Sequence, residues 1–403
     1  MKTIAVIGGG ITGVTTAYAL AKRGFTTTLI EQHRYTGMET SFANGGQLSA
    51  SNAEVWNHPS TLFKGMKWMF RRDAPLLINM KPSWHKLSWF AEFAAAIPHY
   101  EKNTIETTRL AIAAREHLFN WAREENIDFD VRREGILHIY RDQAGFDHAA
   151  AVTRLLSAGG LDRRAVTPAE MKAIEPTLAG QYYGGFYTDS DSTGDIHKFT
   201  HGLAAAALRH GVEFRHGQAV TGLVAGEGGV QVTTGDGEQR RFDGIVICAG
   251  IASRGMAASV GDRVNIYPVK GYSITVNLND DTSRSAAPTV SLLDDATKLV
   301  TSRLGADRFR VAGTAEFNGM NRDIRADRIK PLVDWVHECF PGINTRSVIP
   351  WAGLRPMMPT MLPRVGSGKS PRVFYNTGHG HLGWTLSAVT ADMISDIVSQ
   401  SAR

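Results

Sequence analysis

The chain has 403 residues, more than one ordinary domain requires, and its 43% hydrophobic content supports a large core divided between two intertwined units. Against 39 Asp and Glu stand 44 Lys and Arg, a mild formal charge of +5 that is interspersed along the chain and argues against a nucleic-acid partner. Two cysteines, Cys248 and Cys339, cannot staple the fold and lack metal-ligand spacing, so a reducing compartment and no metal site are expected.

Lys2 to Ile7 is a short apolar strand, too brief for a secretory h-region, and no signal peptide is expected. It runs directly into Gly8-Gly9-Gly10-Ile11-Thr12-Gly13. A GxGxxG turn after a strand opens a dinucleotide-binding βαβ unit: Gly8 makes the tight turn, Gly10 admits a pyrophosphate to the backbone, and Gly13 lets the helix pack on the strand. The helix N-terminus then turns free N–H groups toward the phosphates. Val14 to Arg23 reads as that helix, Gly24 as its C-cap and Phe25 to Ile30 as a second strand. Glu31 closes the strand about 20 residues beyond the glycines, where a carboxylate accepts from an adenosine ribose and repels a 2′-phosphate. FAD or NAD is favoured over NADP.

Residues 60 to 128 read as mainly helical, Thr104 to Glu124 most clearly. Between Lys64 and Lys86 stand six Lys or Arg against the single Asp73, with Trp68, Phe70 and Trp84 among them. Such a mixture suits an anionic bilayer surface, and it suits equally a lid whose aromatics pack inward. No apolar run reaches the roughly 18 residues of a membrane span. A cytoplasmic protein is expected, with peripheral contact at the inner face of the membrane as one reading of the patch.

Val131 to Tyr140 reads as a strand, 146 to 157 and 167 to 174 as helices, and Ile196 to His210 as a crossover helix. Short strands follow at 213–215, 219–224, 230–234 and 244–248, the last continuing into Ala249-Gly250. A buried strand ending in Ala-Gly is a common return of a sheet to a nucleotide. From Val264 to Gly313 the pattern changes to longer alternating strands at 267–276, 298–302 and 309–312, an antiparallel sheet. Val373 to Tyr375 is again a strand, Gly378 to Gly383 a glycine loop and Trp384 to Ser399 a helix, whose N-terminus can stabilise negative charge. The expected fold is α/β: a Rossmann-like nucleotide domain (1–60, 189–262 and 357–403) interleaved with an α+β substrate domain on an antiparallel sheet (61–188 and 263–356).

Together with Glu31 and the two glycine loops, the segments Glu39 to Gln47, Lys67 to Phe70, Thr193 to Asp195, Tyr267 to Ser273, Trp351 to Pro356, Asn376 to Gly380 and Leu382 to Thr385 resemble the D-amino-acid oxidase superfamily of flavoproteins. Within it the chain is similar over essentially its whole length to the bacterial D-amino-acid dehydrogenases. The resemblance implies FAD, held without a covalent link because neither cysteine is placed for one. Contacts to it are expected from Gly8, Gly10, Ile11, Thr12 and Gly13, from Glu31 and Gln32, and from Ser41 and Asn44 at the pyrophosphate. Gly45, Gly46, Gln47 and Leu48 would pass along the flavin, and Val220, Ala249 and Gly250 would meet the adenosine part. Gly378, Gly380, His381, Leu382, Gly383, Trp384 and Thr385 form the second loop, with His381 near the cofactor.

An amino-acid carboxylate is best held by a planar, permanently charged fork. Arg355 is the candidate, because it sits between apolar neighbours where an unpaired guanidinium is costly, and the matching arginine of glycine oxidases has this role. Tyr272 is expected to add a carboxylate hydrogen bond, and Gln47 is assigned to the reacting site as well as to the cofactor. No general base is named, since hydride transfer from Cα to flavin N5 needs positioning and a neutral amine. The expected reaction converts D-amino acids to 2-oxo acids and ammonia, with electrons passed to a quinone or other carrier. The alternatives are an oxygen-dependent oxidase of glycine, sarcosine or proline-like amines, and a flavin subunit without a substrate pocket, against which Arg355 speaks. Where relatives read Pro-Asp-Gly-x-Pro, this chain has Pro359-Thr360-Met361-Leu362-Pro363. Should that turn border the pocket, it would favour apolar or cyclic substrates.

Overall fold

The computed structural model describes residues 2–61 and 75–402. Strand Thr3–Ile7 is buried on both faces at the middle of a six-stranded sheet. Its alternate residues serve two cores, as the two-residue period of a strand requires: Ile4 and Val6 face helices, while Ala5 and Ile7 face a smaller sheet. Across the sheet the order is Arg364–Ser367, Val373–Thr377, Gly244–Ile247, Thr3–Ile7, Thr26–Ile30 and Glu213–Arg215, parallel except for the first pair. Helices Ile11–Lys22, Ile196–Arg209 and Gly383–Ser401 cover one face through Val14, Leu20, Leu203, Ala388 and Ile394. An antiparallel three-stranded sheet, Val220–Gly226, Gly229–Thr234 and Gln239–Phe242, covers the other with Leu223, Val230 and Val232.

Among the described residues the second sheet has nine strands and is mixed rather than purely antiparallel. Ser291–Asp294 runs parallel to Ile136–Tyr140, and Leu76–Ile78 parallel to Arg308–Phe317. Its antiparallel part is built on Tyr267–Asn277, flanked by Arg308–Phe317 and by an edge strand, Val348–Met357. That edge strand has no clear sequence signal because Pro350, Gly353 and Pro356 interrupt it. Proline is tolerated there since an edge has no second partner to bond. Helix Ala326–Cys339 packs Leu332, Trp335 and Val336 on the outer face, against Ile274, Val276 and Val311.

Within 60–128 the expected helices are Trp84–Ala95 and Tyr100–Glu124. Lys64, Lys67-Trp68-Met69-Phe70, Arg71, Arg72 and Asp73 lie outside the described residues. Of the rest of that patch, Trp84 is 83% exposed instead of packed inward, whereas Lys86 is buried, its ammonium donating to the Asn79 and Lys81 carbonyls. The strand expected from Val131 begins only at Ile136, after left-handed turns at Asp130 and Gly135.

The glycine turn is packed against neighbouring backbone. A Cβ on Gly13 would lie 1.8 Å from the Gly8 carbonyl oxygen, and one on Gly8, itself at φ +108°, 2.7 Å from that of Cys248. Gly13→Ala therefore drives the first helix off its strand, at a cost of about 2–3 kcal/mol for an overpacked core. A lower melting temperature and less flavin absorbance per polypeptide are the expected readouts.

Candidate active site

A cavity of about 510 Å³ is lined by both glycine loops, the Glu31 strand end, the 41–56 segment and the large sheet around Arg355. Gly10 is the N-cap of the first helix, and no side chain caps this end and no acid stands in its first turn. A Cβ on Gly10 would meet only the Ser41 hydroxyl, at 3.5 Å, so this position leaves room for a ligand. Ser41 Oγ accepts from the Ile11 amide at 3.0 Å, and the Glu31 carboxylate accepts from the Gly9 and His33 amides. Gln32, Val220, Ala249 and Gly250 border the same cavity.

The second loop enters from the other side. Gly378 and Gly380 have φ of +78° and +60°, and a Cβ on either would strike Met358 or Met357. A bridge between Met357 and His379 ties this loop to the edge strand that carries Arg355. Gly383, Trp384 and Thr385 then begin the terminal helix beside the cavity, again without a side-chain cap.

Arg355 is partly accessible, and it borders the cavity. Its Nη1 donates to the Thr314 carbonyl at 2.8 Å, and Nη2 lies 3.5 Å from that of Gly313. The fork lies over Gly271, where a Cβ would be 2.3 Å from Nη2. A bulge opposite Lys270-Gly271-Tyr272 holds Thr314 at φ +58°, a conformation that β-branched residues rarely adopt, and aims these carbonyls at the guanidinium. Among the described residues no carboxylate pairs with Arg355. Burial without a counter-charge pushes it down to about 10, so it stays charged at neutral pH.

Tyr272 and Gln47 border the cavity, but the Tyr272 hydroxyl and the Gln47 amide nitrogen are engaged elsewhere, which leaves Gln47 Oε1 buried without a partner among the described residues. Gly271 and Arg355 share one face of the sheet, and strand alternation turns Tyr272 to the other. There its hydroxyl donates to Glu316 at 2.9 Å, beside the Lys270–Glu316 pair. Gln47 Nε2 donates to Ser291 Oγ and to the Leu292 carbonyl. The 359–363 turn does not line the cavity. Its Pro359 and Thr360 carbonyls are bound by Asn57 and Asn103, and Met361 packs with Trp89 and Phe93. Its apolar character therefore leaves substrate choice to other residues.

Sequence reasoning missed how the 41–47 segment is fastened. Three successive carbonyls, of Ala43, Asn44 and Gly45, accept from Ser273 at 3.0 Å, Arg310 at 3.1 Å and Ser302 at 2.6 Å, all on the large sheet. Asn44 Oδ1 accepts from the Gly46 amide, which closes the turn. A charged residue inside the apolar run Phe309-Arg310-Val311 was the available signal. Asp191, fully buried, likewise accepts from the Ala50 and Ser51 amides just beyond Leu48.

Neither thiol has the depressed pKa of a reactive cysteine: burial pushes Cys248 up to about 12 and Cys339 up to about 11. Among the described residues no group of three or more His, Cys, Asp or Glu is arranged to hold a metal ion. The open cradle at Gly10, the two uncapped helix ends and the close-packed glycine loops fit a dinucleotide, whose pyrophosphate a free helix N-terminus would stabilise.

Residues 3–397 match the model of the family described as FAD dependent oxidoreductase. The chain belongs to this family and is an FAD-dependent enzyme. A Mesorhizobium japonicum protein named D-amino acid dehydrogenase 3 is 62% identical over 401 residues, covering 99% of this chain and 97% of that protein. A D-amino acid dehydrogenase of Paramagnetospirillum magneticum is 42% identical over 408 residues, covering 99% and 95%. The fold is that of glycine oxidase from Geobacillus kaustophilus, with a TM-score of 0.76 at 20% identity over 99% of this chain and 95% of that one.

Two histidines of the second loop are neutral at working pH. Burial pushes His379 down to about 3; it pushes His381 down to about 4, with the Asn52 carbonyl and Glu54 opposing and the Arg355 charge adding. Below the usual histidine value near 6.5 the unfolded chain takes protons that the native chain refuses, so stability falls as pH drops from there toward those values. At pH 5 each histidine should withdraw about 2 kcal/mol relative to neutral pH. Urea midpoints at pH 7.5 and 5 should diverge, and His379→Gln should narrow the gap.

Proposed function

We propose that this chain is a D-amino-acid dehydrogenase, which converts a D-amino acid to the imino acid, hydrolysed to 2-oxo acid and ammonia, and delivers the electrons to a quinone or another carrier. The reading is carried by Arg355, a guanidinium that opens only partly, at a cavity wall, with no carboxylate among the described residues to pair it. The identity to proteins named D-amino acid dehydrogenase supports it. FAD, when bound, supplies a two-electron hydride acceptor. Glu31, Gly10 and Ser41 would hold its adenosine and pyrophosphate, while Gly45 to Leu48 and the 378–385 loop would border the flavin. The division into a nucleotide domain and a substrate domain follows the two sheets.

Arg355 binds the substrate carboxylate with both arms of its fork, and the Gly313 and Thr314 carbonyls keep the fork from swinging away. Trp351 and Trp56 line the same cavity and give it apolar surface. His379 and His381, held neutral, supply no positive charge to compete for the carboxylate. The reacting form is the substrate with a neutral amine, its ammonium proton having been lost to water, and positioning by Arg355 does the remaining work. Tyr272 acts through the sheet in this geometry, by anchoring the strand that presents Gly271.

Arg355→Lys should bind FAD normally yet lose about 2–5 kcal/mol of transition-state binding, because an ammonium cannot reproduce the bidentate fork. Anaerobic bleaching of the flavin by D-amino acids, read alongside kcat/KM with a soluble dye, checks this, and unchanged kcat/KM would remove Arg355 from the site.

Met80, Trp84 and Leu87 are exposed next to the exposed Lys81. They support contact of the Lys64 to Lys86 stretch with an anionic bilayer, which would place a lipid-soluble quinone within reach. Among the described residues no helix is long and apolar enough to cross a membrane. The protein should float with anionic liposomes at low salt and detach as ionic strength rises. Replacing Lys67, Arg71 and Arg72 by Glu should end flotation, with substrate-dependent dye reduction reporting that the variant is folded.

A further inference from the structure

The cavity that holds Arg355 has a second charged wall. Glu54 borders it on the segment that Asp191 pins, between the buried Ala53 and Val55. Glu54 Oε1 accepts from the Tyr100 hydroxyl at 2.7 Å and meets His148 Nε2 at 3.3 Å. Oε2 accepts from none of the described residues, and the side chain keeps 30% of its surface open. Burial alone would raise this carboxyl; His148, Tyr100 and the field of Lys298 more than offset that and hold it below the usual carboxylate range.

Between the two charges stands an aromatic wall. His381 stacks on Trp56 with ring centroids 5.0 Å apart, and its imidazole feels both Arg355 and Glu54. The cavity thus offers a cation for a carboxylate and, past a flat apolar surface, a hydrogen-bond acceptor with an open lone pair. The 359–363 turn, where relatives carry an acid, lies away from this wall, and Glu54 brings an acid to it from a different segment.

We propose that Glu54 is a specificity-determining residue: with the substrate carboxylate on Arg355, it receives a neutral hydrogen-bond donor, a hydroxyl or carboxamide, at the end of the D-amino acid's side chain. The inference rests on the reading of the chain as a D-amino-acid dehydrogenase. A neutral donor suits this lobe better than a cation, because Lys298 and Arg163 already line it. Arg163 is buried over the Phe186 ring, bound to Tyr140 and Thr153, and has no carboxylate partner among the described residues. A site built to bond a donor rejects the isostere that lacks one, whereas an apolar site discriminates weakly.

The isosteric pairs D-threonine against D-valine and D-asparagine against D-leucine test this in the holoenzyme, by kcat/KM with a soluble dye. The polar member should exceed its isostere at least tenfold in one pair or both, and Glu54→Leu should bring that ratio to one or invert it. Should that variant fail to fold, the wild-type ratios decide alone. Equal rates within both pairs, preference for the apolar members, or D-lysine and D-arginine outpacing both polar substrates would each overturn the proposal. So would a Glu54→Leu enzyme that loses turnover of every substrate in parallel with its ratios intact, which would place Glu54 at the α-amine. A flavin that no D-amino acid bleaches would instead reject the dehydrogenase reading itself.

Discussion

A guanidinium set in a cavity wall, with no counter-ion among the described residues, is the constraint around which this molecule is arranged. Desolvating a charge costs several kcal/mol, and a neighbouring carboxylate is the usual remedy. Here two backbone carbonyls, of Gly313 and Thr314, orient the Arg355 fork and leave its charge uncompensated. The bulge, the left-handed Thr314 and the bare Cα of Gly271 all serve that placement, and each is locally unfavourable or permissive only for this neighbour. Such a group is stable in the fold because the surrounding sheets determine it.

The same cavity depends on two sheets being held in register across it. Ser273, Arg310 and Ser302 catch three consecutive carbonyls of the 43–45 segment, so a loop that follows the first βαβ unit is bonded to the large sheet. The Met357–His379 bridge couples them again, through the strand of Arg355 and the second glycine loop. Charge is distributed along the cavity by these attachments: uncapped helix ends at Gly10 and Leu382, a cation at Arg355 and an anion at Glu54. The two histidines in the second loop add none, because burial keeps them neutral.

Much of the fold was legible in local pattern. Thr3–Ile7, the helix that follows and the Thr26–Ile30 strand are each announced by apolar runs punctuated by glycine, and the amphipathic helix Tyr100–Glu124 by its period. Val348–Met357 was not, since two prolines and a glycine erase the strand pattern that an edge position tolerates. Arg355 was legible as a charge among apolar residues. The partner of the Tyr272 hydroxyl was not legible, because which face of a strand a side chain takes is invisible when both faces are buried.

What the sequence by itself determined is the nucleotide turn, with its glycines and Glu31, together with the order of strands and helices that returns the chain twice to that turn. These are short-range facts, encoded in residues close to one another along the chain. Only the tertiary structure decided that Glu316 takes the Tyr272 hydroxyl, that Ser291 and Leu292 take the Gln47 amide, and that the 359–363 turn lies away from the cavity. It alone brought Glu54 to the wall that Arg355 shares. The reason is physical: each of these partners is remote in sequence, and a hydrogen bond or a cavity wall is set by where the sheets pack, which no local pattern records.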